Sequence, residues 1–236
     1  MKEVKAKLTE TIKRTQDAQS FRFLSETRIE FIPGQFLQII FDENNLNNKE
    51  LNKYLSFSSS PTKEYIEFTK RLSESLFSQK LKNLNINDKV LFKAPLGSCI
   101  LKDEYKKIAF LIGGIGITPV ISIIEYVIDK RLSTDIVLLY SNRTEAEIAF
   151  RQELDYWQSI TKNIKVIYTL TDSSPKDARY VFGRIDKDLL IKKILDLDER
   201  IFFIFGPPKM VEAMKGLCIE VGCKNENIKT ESFIGY

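Results

Sequence analysis

Near Leu101 the chain changes rhythm, and that change limits the folds it can adopt. Before it, 4–9 and 20–24 alternate apolar and polar residues, 35–41 is apolar and β-rich, and short β-rich runs follow at 65–69 and 89–93. A period of two marks a half-buried strand. Turn residues separate the runs at Pro33-Gly34, Asn44-Asn45, Asn87-Asp88 and Pro95-Leu96-Gly97. One helix is expected among them, over 75–84. Several short strands broken by turns point to an antiparallel β-barrel or sandwich.

After Leu101, strands alternate with helices. Strands are expected over 107–112, 135–141, 164–170, 200–205 and 228–233. Helices are expected over 118–130, 145–158, 186–196 and 208–221, with a polar loop over 171–180. This order builds an α/β parallel sheet with right-handed crossovers. The expected division is therefore 1–101, a barrel, and 102–236, an α/β domain.

Ligands of parallel sheets bind beyond the carboxyl ends of the strands. Three turns fall on that edge: Gly113 to Pro119, Ser141-Asn142-Arg143, and Phe205-Gly206-Pro207-Pro208. The first, Gly113-Gly114-Ile115-Gly116-Ile117-Thr118-Pro119, joins a buried strand to a helix. Amides at a helix start point outward unpaired, and the helix dipole adds positive charge, so a phosphate is favoured there. The third glycine of the usual dinucleotide fingerprint is replaced by Pro119. The uncharged run 108–124 is short for a membrane span and is broken by glycines and a proline.

The chain has 236 residues and no histidine, which removes Ser-His-Asp and Cys-His catalysis and most catalytic zinc sites. Cys99, Cys218 and Cys223 are too scattered for an iron–sulfur loop or zinc knuckle, so no metal is expected. They suit a reducing cytoplasm. The start lacks an apolar signal core. The net charge of +4 is spread along the chain, which gives no nucleic-acid footprint but allows an acidic protein partner.

The barrel-then-sheet order, with its motifs, resembles the ferredoxin–NADP reductase family of flavoproteins. The motifs are Pro33-Gly34-Gln35-Phe36, Lys53-Tyr54-Leu55-Ser56-Phe57-Ser58-Ser59-Ser60-Pro61, Thr69-Lys70-Arg71, Ser75-Leu76-Phe77-Ser78 and Ala94-Pro95-Leu96-Gly97. The 113–119 turn, Tyr140-Ser141-Asn142-Arg143, Phe205 to Met210 and Glu231-Ser232-Phe233 complete them. The resemblance implies a flavin site on 53–58, with the Ser56 hydroxyl beside flavin N5. It also implies a pyrophosphate site at Ser75 to Ser78, with Thr69, Lys70 and Arg71 nearby, and FAD in preference to FMN. Lys53 stands where the family has arginine, which loses a bidentate fork. Leu55 stands where it has an aromatic, which loses ring stacking. Tyr54 is expected to face the other way on an alternating strand.

By the same resemblance, Gly113, Gly114, Gly116, Thr118 and Pro119 would hold the nicotinamide nucleotide, with Phe205, Gly206 and Pro207. Phe205 replaces a cysteine, Glu231 matches a carboxylate near the reaction centre, and Tyr236 matches an aromatic that covers the flavin. Ser141 and Arg143, with Arg184, suit the extra phosphate of NADPH. No acid follows Ser141 until Glu145, although NADH stays open. The expected activity is an FAD-dependent NAD(P)H oxidoreductase that passes electrons to a separate acceptor such as a ferredoxin or flavodoxin. An electron-transfer subunit docked on a larger oxidoreductase, or a nucleotide binder without redox activity, are the alternatives.

Overall fold

A computed structural model describes residues 1–172 and 177–233. The chain forms two compact units, one of Met1–Leu101 with Thr118–Lys130, the other of Lys102–Ile117 with residues from Arg131 onward.

The first unit contains β1 (Lys2–Lys13), β2 (Ala18–Ser25), β3 (Phe36–Ile40), β4 (Asn52–Ser56), β5 (Ile66–Arg71), α1 (Leu76–Lys82) and β6 (Lys89–Leu96). The strands lie in the order β4-β3-β6-β1-β2-β5, and every neighbouring pair is antiparallel. An antiparallel bridge between Phe57 and Phe68 brings the end of β4 to β5, so the sheet nearly closes into a barrel. Closure hides edges that would otherwise present unpaired backbone groups.

The alternation seen in sequence fills this barrel. Val4, Ala6 and Leu8 of β1 are buried, as are Phe21 and Phe23 of β2, Leu37 and Ile39 of β3, and Phe68 of β5. Phe23 packs on Phe68 and Phe92, with ring centroids 5.5 and 5.0 Å apart. Each such ring contributes about 1.5–3 kcal/mol through burial. Two motifs of the family resemblance meet here. Gln35 Nε2 donates to the Gly97 carbonyl at 3.1 Å, and Phe36 pairs with Leu96 across β3 and β6.

The first unit also takes in α2 (Thr118–Asp129), the helix that follows the glycine turn. The local sequence predicts this helix but not its neighbours. Its apolar residues Val120, Ile121, Ile123, Ile124 and Val127 are all buried.

The second unit contains β7 (Lys107–Gly113), β8 (Asp135–Asn142), α3 (Arg151–Ile160), β9 (Ile164–Leu170), β10 (Tyr180–Phe182), α4 (Lys187–Lys193), β11 (Ile201–Gly206), α5 (Pro208–Glu220) and β12 (Ile228–Ser232). All neighbours are parallel, in the order β10-β9-β8-β7-β11-β12. On one face Ala109, Leu111, Leu139 and Ile204 pack with Leu190 of α4 and Val211 of α5. Arg200, almost fully buried, donates to the Ile108 carbonyl at 3.1 Å and pairs with Asp196 at 2.6 Å. That polar anchor sits at the amino ends of the strands and leaves the carboxyl ends for a ligand.

Two expectations need correction. The helix expected over 145–158 is a 3-10 turn, Glu145–Glu147, followed by α3. Ile148, Ala149 and Phe150 between them are buried, and Phe150 takes a left-handed backbone with φ 58°. Burial of three apolar side chains outweighs helix propensity there. The polar loop ends early, because Tyr180–Phe182 pairs with β9 as the edge strand β10. Three residues are too few to show a period; residues 173–176 of that loop lie outside the described residues.

Candidate functional site

In the first unit, β3–β4 pairing sets Leu55 opposite the fully buried Leu37, so Leu55 turns inward and packs on the barrel core. Lys53 shares that strand face by alternation. Tyr54 faces outward, 62% exposed, with its ring edge against Phe36 at 5.8 Å. Lys70 stands two residues after the buried Phe68 on β5 and shares its strand face. Burial and the charge of Lys53 both hold the Lys70 amine below its ordinary value. Neither lysine has an acidic partner among the described residues. Two like charges left facing each other without a counter-ion form a place that suits a bound anion.

The remaining flavin candidates divide into free and occupied groups. Ser56 is buried, and its hydroxyl has no hydrogen-bond partner among the described residues. Phe57 and Phe77 are fully buried core residues, Phe57 stacked on Phe31 at 3.8 Å, and they offer no surface to a ligand. Ser58 bonds Thr69 at 2.8 Å and Glu67 at 3.2 Å, so both Ser58 and Thr69 are committed to the protein. Arg71 pairs with Asp17 at 3.0 Å. Ser75 is the N-cap of α1: its Oγ accepts from the Ser78 amide at 3.3 Å. Ser78 is fully buried, and its hydroxyl is bonded to Ser73 and Ser75, which are exposed. Leu76 is exposed.

In the second unit, the central strands β8, β7 and β11 bring the three predicted turns to one sheet edge. Gly114–Ile117 is a 3-10 turn that continues into α2. The glycines have a packing reason: a Cβ on Gly116 would collide with the Phe205 carbonyl, and one on Gly113 with the Met210 sulfur. Thr118 and Pro119 are buried. Phe205 is fully buried between Ile112 and Glu231 in the sheet, with its ring on Phe233 at 6.4 Å. It packs, as a residue without a thiol must. Gly206 accepts from the Phe233 amide at 3.0 Å, and Pro207 caps α5.

Buried polar atoms on this edge lack protein partners. Both side-chain atoms of Asn142 and the Thr169 hydroxyl are buried and unbonded among the described residues. An orphaned buried amide is costly, so this edge fits a polar ligand. Ser141 pairs with Thr169 across β8 and β9. Arg143, whose side chain is 70% exposed, donates from Nε to Asp172 at 2.8 Å. Asp172 is drawn well below the usual carboxylate range by that bond, and the charge of Arg184 adds to the effect. Sequence reasoning missed Asp172, because it stands 29 residues away from Arg143. Glu231 is half-buried without a polar partner among the described residues, and burial pushes its carboxyl up to about 7. Tyr236 lies outside the described residues.

Among those residues no cluster could hold a metal ion, and no helix is long and apolar enough to cross a membrane.

The family model of the oxidoreductase FAD-binding domain matches residues 5–100, and that of the oxidoreductase NAD-binding domain matches residues 110–216. The chain belongs to the ferredoxin–NADP reductase-like family. It carries the FAD-binding and NAD-binding domains of that family's oxidoreductases. A NADH-cytochrome b5 reductase-like protein of Arabidopsis thaliana is 30% identical over 170 residues, 70% of this chain and 52% of that protein. The glycine betaine monooxygenase reductase subunit of Chromohalobacter salexigens is 26% identical, over 94% of this chain and 62% of that one. The chain thus spans roughly half to three-fifths of these curated relatives. The ferredoxin-NADP+ reductase of Plasmodium falciparum shares the fold, with a TM-score of 0.79 at 20% identity over 98% of this chain and 96% of that one.

Proposed function

We propose that this reductase binds FAD on residues 1–101 and a nicotinamide nucleotide on residues 102–236, oxidises the nucleotide, and delivers electrons to a separate acceptor. The observation that carries the reading is the acid-free lysine pair, Lys53 and Lys70, on the barrel that also presents the unbonded Ser56 hydroxyl. A pyrophosphate answers the first, and a flavin ring nitrogen the second.

Bound FAD supplies a ring that accepts hydride from reduced nicotinamide and releases electrons onward. The chain's own residues bind and orient. Lys53 and Lys70 neutralise phosphate charge as point charges, not as forks. Leu55 offers an apolar surface to the ring, and the Ser56 hydroxyl donates to it. The turn at Gly113 to Ile117, with the unbonded Asn142 amide, takes the polar part of the nicotinamide nucleotide. Glu231 sits near its reactive end and is half-protonated near neutrality, so it can hold or release a proton.

Arg143 bears on the choice of nucleotide. Asp172 already engages the Nε of its guanidinium and would repel a 2′-phosphate, while a carboxylate there can accept from ribose hydroxyls. This supports NADH over the NADPH expected from the sequence.

The relatives' names include a cytochrome b5 reductase and a reductase subunit of a monooxygenase, so a redox protein docked on this chain is the favoured acceptor. The anaerobic visible spectrum of the FAD-supplemented protein tests the reading. Flavin bands should bleach on NADH addition, and Ser56→Ala should slow bleaching severalfold. Protein that retains no FAD would leave only nucleotide binding. Bands that bleach while generic acceptors stay oxidised would favour the docked subunit.

A further inference from the structure

The flavin-facing strand does not end in a loop after Ser56. The chain crosses from the β3 side to the β5 side: the Phe57 amide donates to Gln35 and the Ser58 amide to the Glu67 carbonyl at 2.7 Å. Glu67 donates its own amide to Ser59 Oγ at 3.0 Å. Ser58, Ser59 and Ser60 are then almost completely buried. Buried backbone groups need partners. Here α2 supplies them. Ser122 Oγ donates to the Ser59 carbonyl at 2.7 Å, and the Ser60 amide donates to Glu125 Oε2 at 2.6 Å.

These two bonds hold adjacent groups of one buried peptide unit from two consecutive turns of one helix. The geometry is specific. Ser122 and Glu125 are three residues apart, so they share a helix face. Glu125 is itself steadied by Lys63 at 3.3 Å, and Lys63 also pairs with Asp129 at 2.9 Å. Sequence gives this helix an apolar face and no reason for a serine and a glutamate within it. Glu125 is half-buried, and a carboxylate drawn out of water is costly without compensating bonds.

We propose that Ser122 and Glu125 are positioning residues of the flavin site: they fix the Ser59–Ser60 peptide and, through it, the placement of Ser56. This deepens the flavin reading and rests on it. The helix that bears them starts immediately after the glycine turn, so one continuous stretch of chain carries the nucleotide turn and the clamp on the flavin strand.

The test uses the full chain. FAD affinity is read by fluorescence titration, and the absorbance band shape and midpoint potential of the bound flavin are recorded beside it. Ser122→Ala and Glu125→Ala should each loosen FAD about tenfold, by leaving one buried backbone group unpaired, and should alter the flavin band. Glu125→Gln keeps an acceptor for the Ser60 amide and should restore affinity to within about threefold, whatever its thermal stability. Asp129→Asn touches Thr62 and Lys63 but not the clamped peptide, and should leave FAD affinity and band shape unchanged. Alanine variants that bind FAD like the wild type, with an unaltered band, would overturn the proposal. So would Asp129→Asn loosening FAD as much as Glu125→Ala, or glutamine failing to rescue. A wild-type chain that takes up no FAD would overturn the flavin reading itself, and this proposal with it.

Discussion

Arg143 and Asp172 meet at the carboxyl ends of β8 and β9, Nε to Oδ2 at 2.8 Å. The arginine that looks available for a phosphate is therefore already engaged. Asp172→Ser should release it. The ratio of kcat/KM for NADH over NADPH should fall roughly tenfold, about 1.4 kcal/mol. Steady-state kinetics with both nucleotides check this. An unchanged ratio would show that the pair does not touch the ribose.

Glu231 links pH to stability. Its folded carboxyl titrates at about 7, above its ordinary value of 4.5, because burial disfavours the charge. The stability it contributes is therefore fully present below about 4.5 and is lost as pH rises through 7. Glu231→Gln removes that loss. Its Tm relative to the wild type should be about 2–4 °C higher at pH 8 than at pH 5, the shift that about 1 kcal/mol gives a chain of this size. Parallel melting curves at both pH values are the check.

Gly113 and Gly116 should respond differently to alanine. At Gly116 the new methyl meets the backbone carbonyl of Phe205, which cannot move aside. Urea unfolding should show a loss of about 1–3 kcal/mol. At Gly113 it meets the sulfur of Met210, the end of a flexible side chain. Met210→Ala should rescue Gly113→Ala and leave Gly116→Ala unrescued, a coupling that a double-mutant cycle reads directly.

Lys53→Met should act with opposite signs on two measurements. Lys70 is held below its ordinary value by burial and by Lys53. Removing Lys53 relieves the repulsion and should stabilise the flavin-free chain by on the order of 0.5 kcal/mol. It should also weaken FAD binding about tenfold and flatten its salt dependence. If flavin-free stability and FAD affinity fall together, the lysine is structural and not part of an anion site.

Much of the architecture is legible in local sequence. The period of two fills the barrel because alternate side chains must choose between core and water, as Val4, Ala6 and Leu8 do. The alternation of apolar strands and helices after Leu101 reports the parallel sheet because parallel neighbours need a crossover to return the chain. The three ligand-edge turns follow from that order, because parallel strands bring their carboxyl ends to one edge. The motif residues are less legible. Phe57 and Phe77 read as cofactor contacts yet pack in the core, and Ser58 and Thr69 are spent on Glu67 and on each other.

What local sequence determined about this protein is where strands, helices and tight turns fall, because those depend on neighbours within a few positions. What only the tertiary structure decided is which polar groups find each other across long separations. Asp172 reaches Arg143, Ser122 reaches the Ser59 carbonyl 63 residues away, and α2 joins the barrel unit. Burial imposes these pairings: a backbone or charged group cut off from water must take whatever partner the packed chain brings near. No residue pattern along the chain encodes which partner that will be.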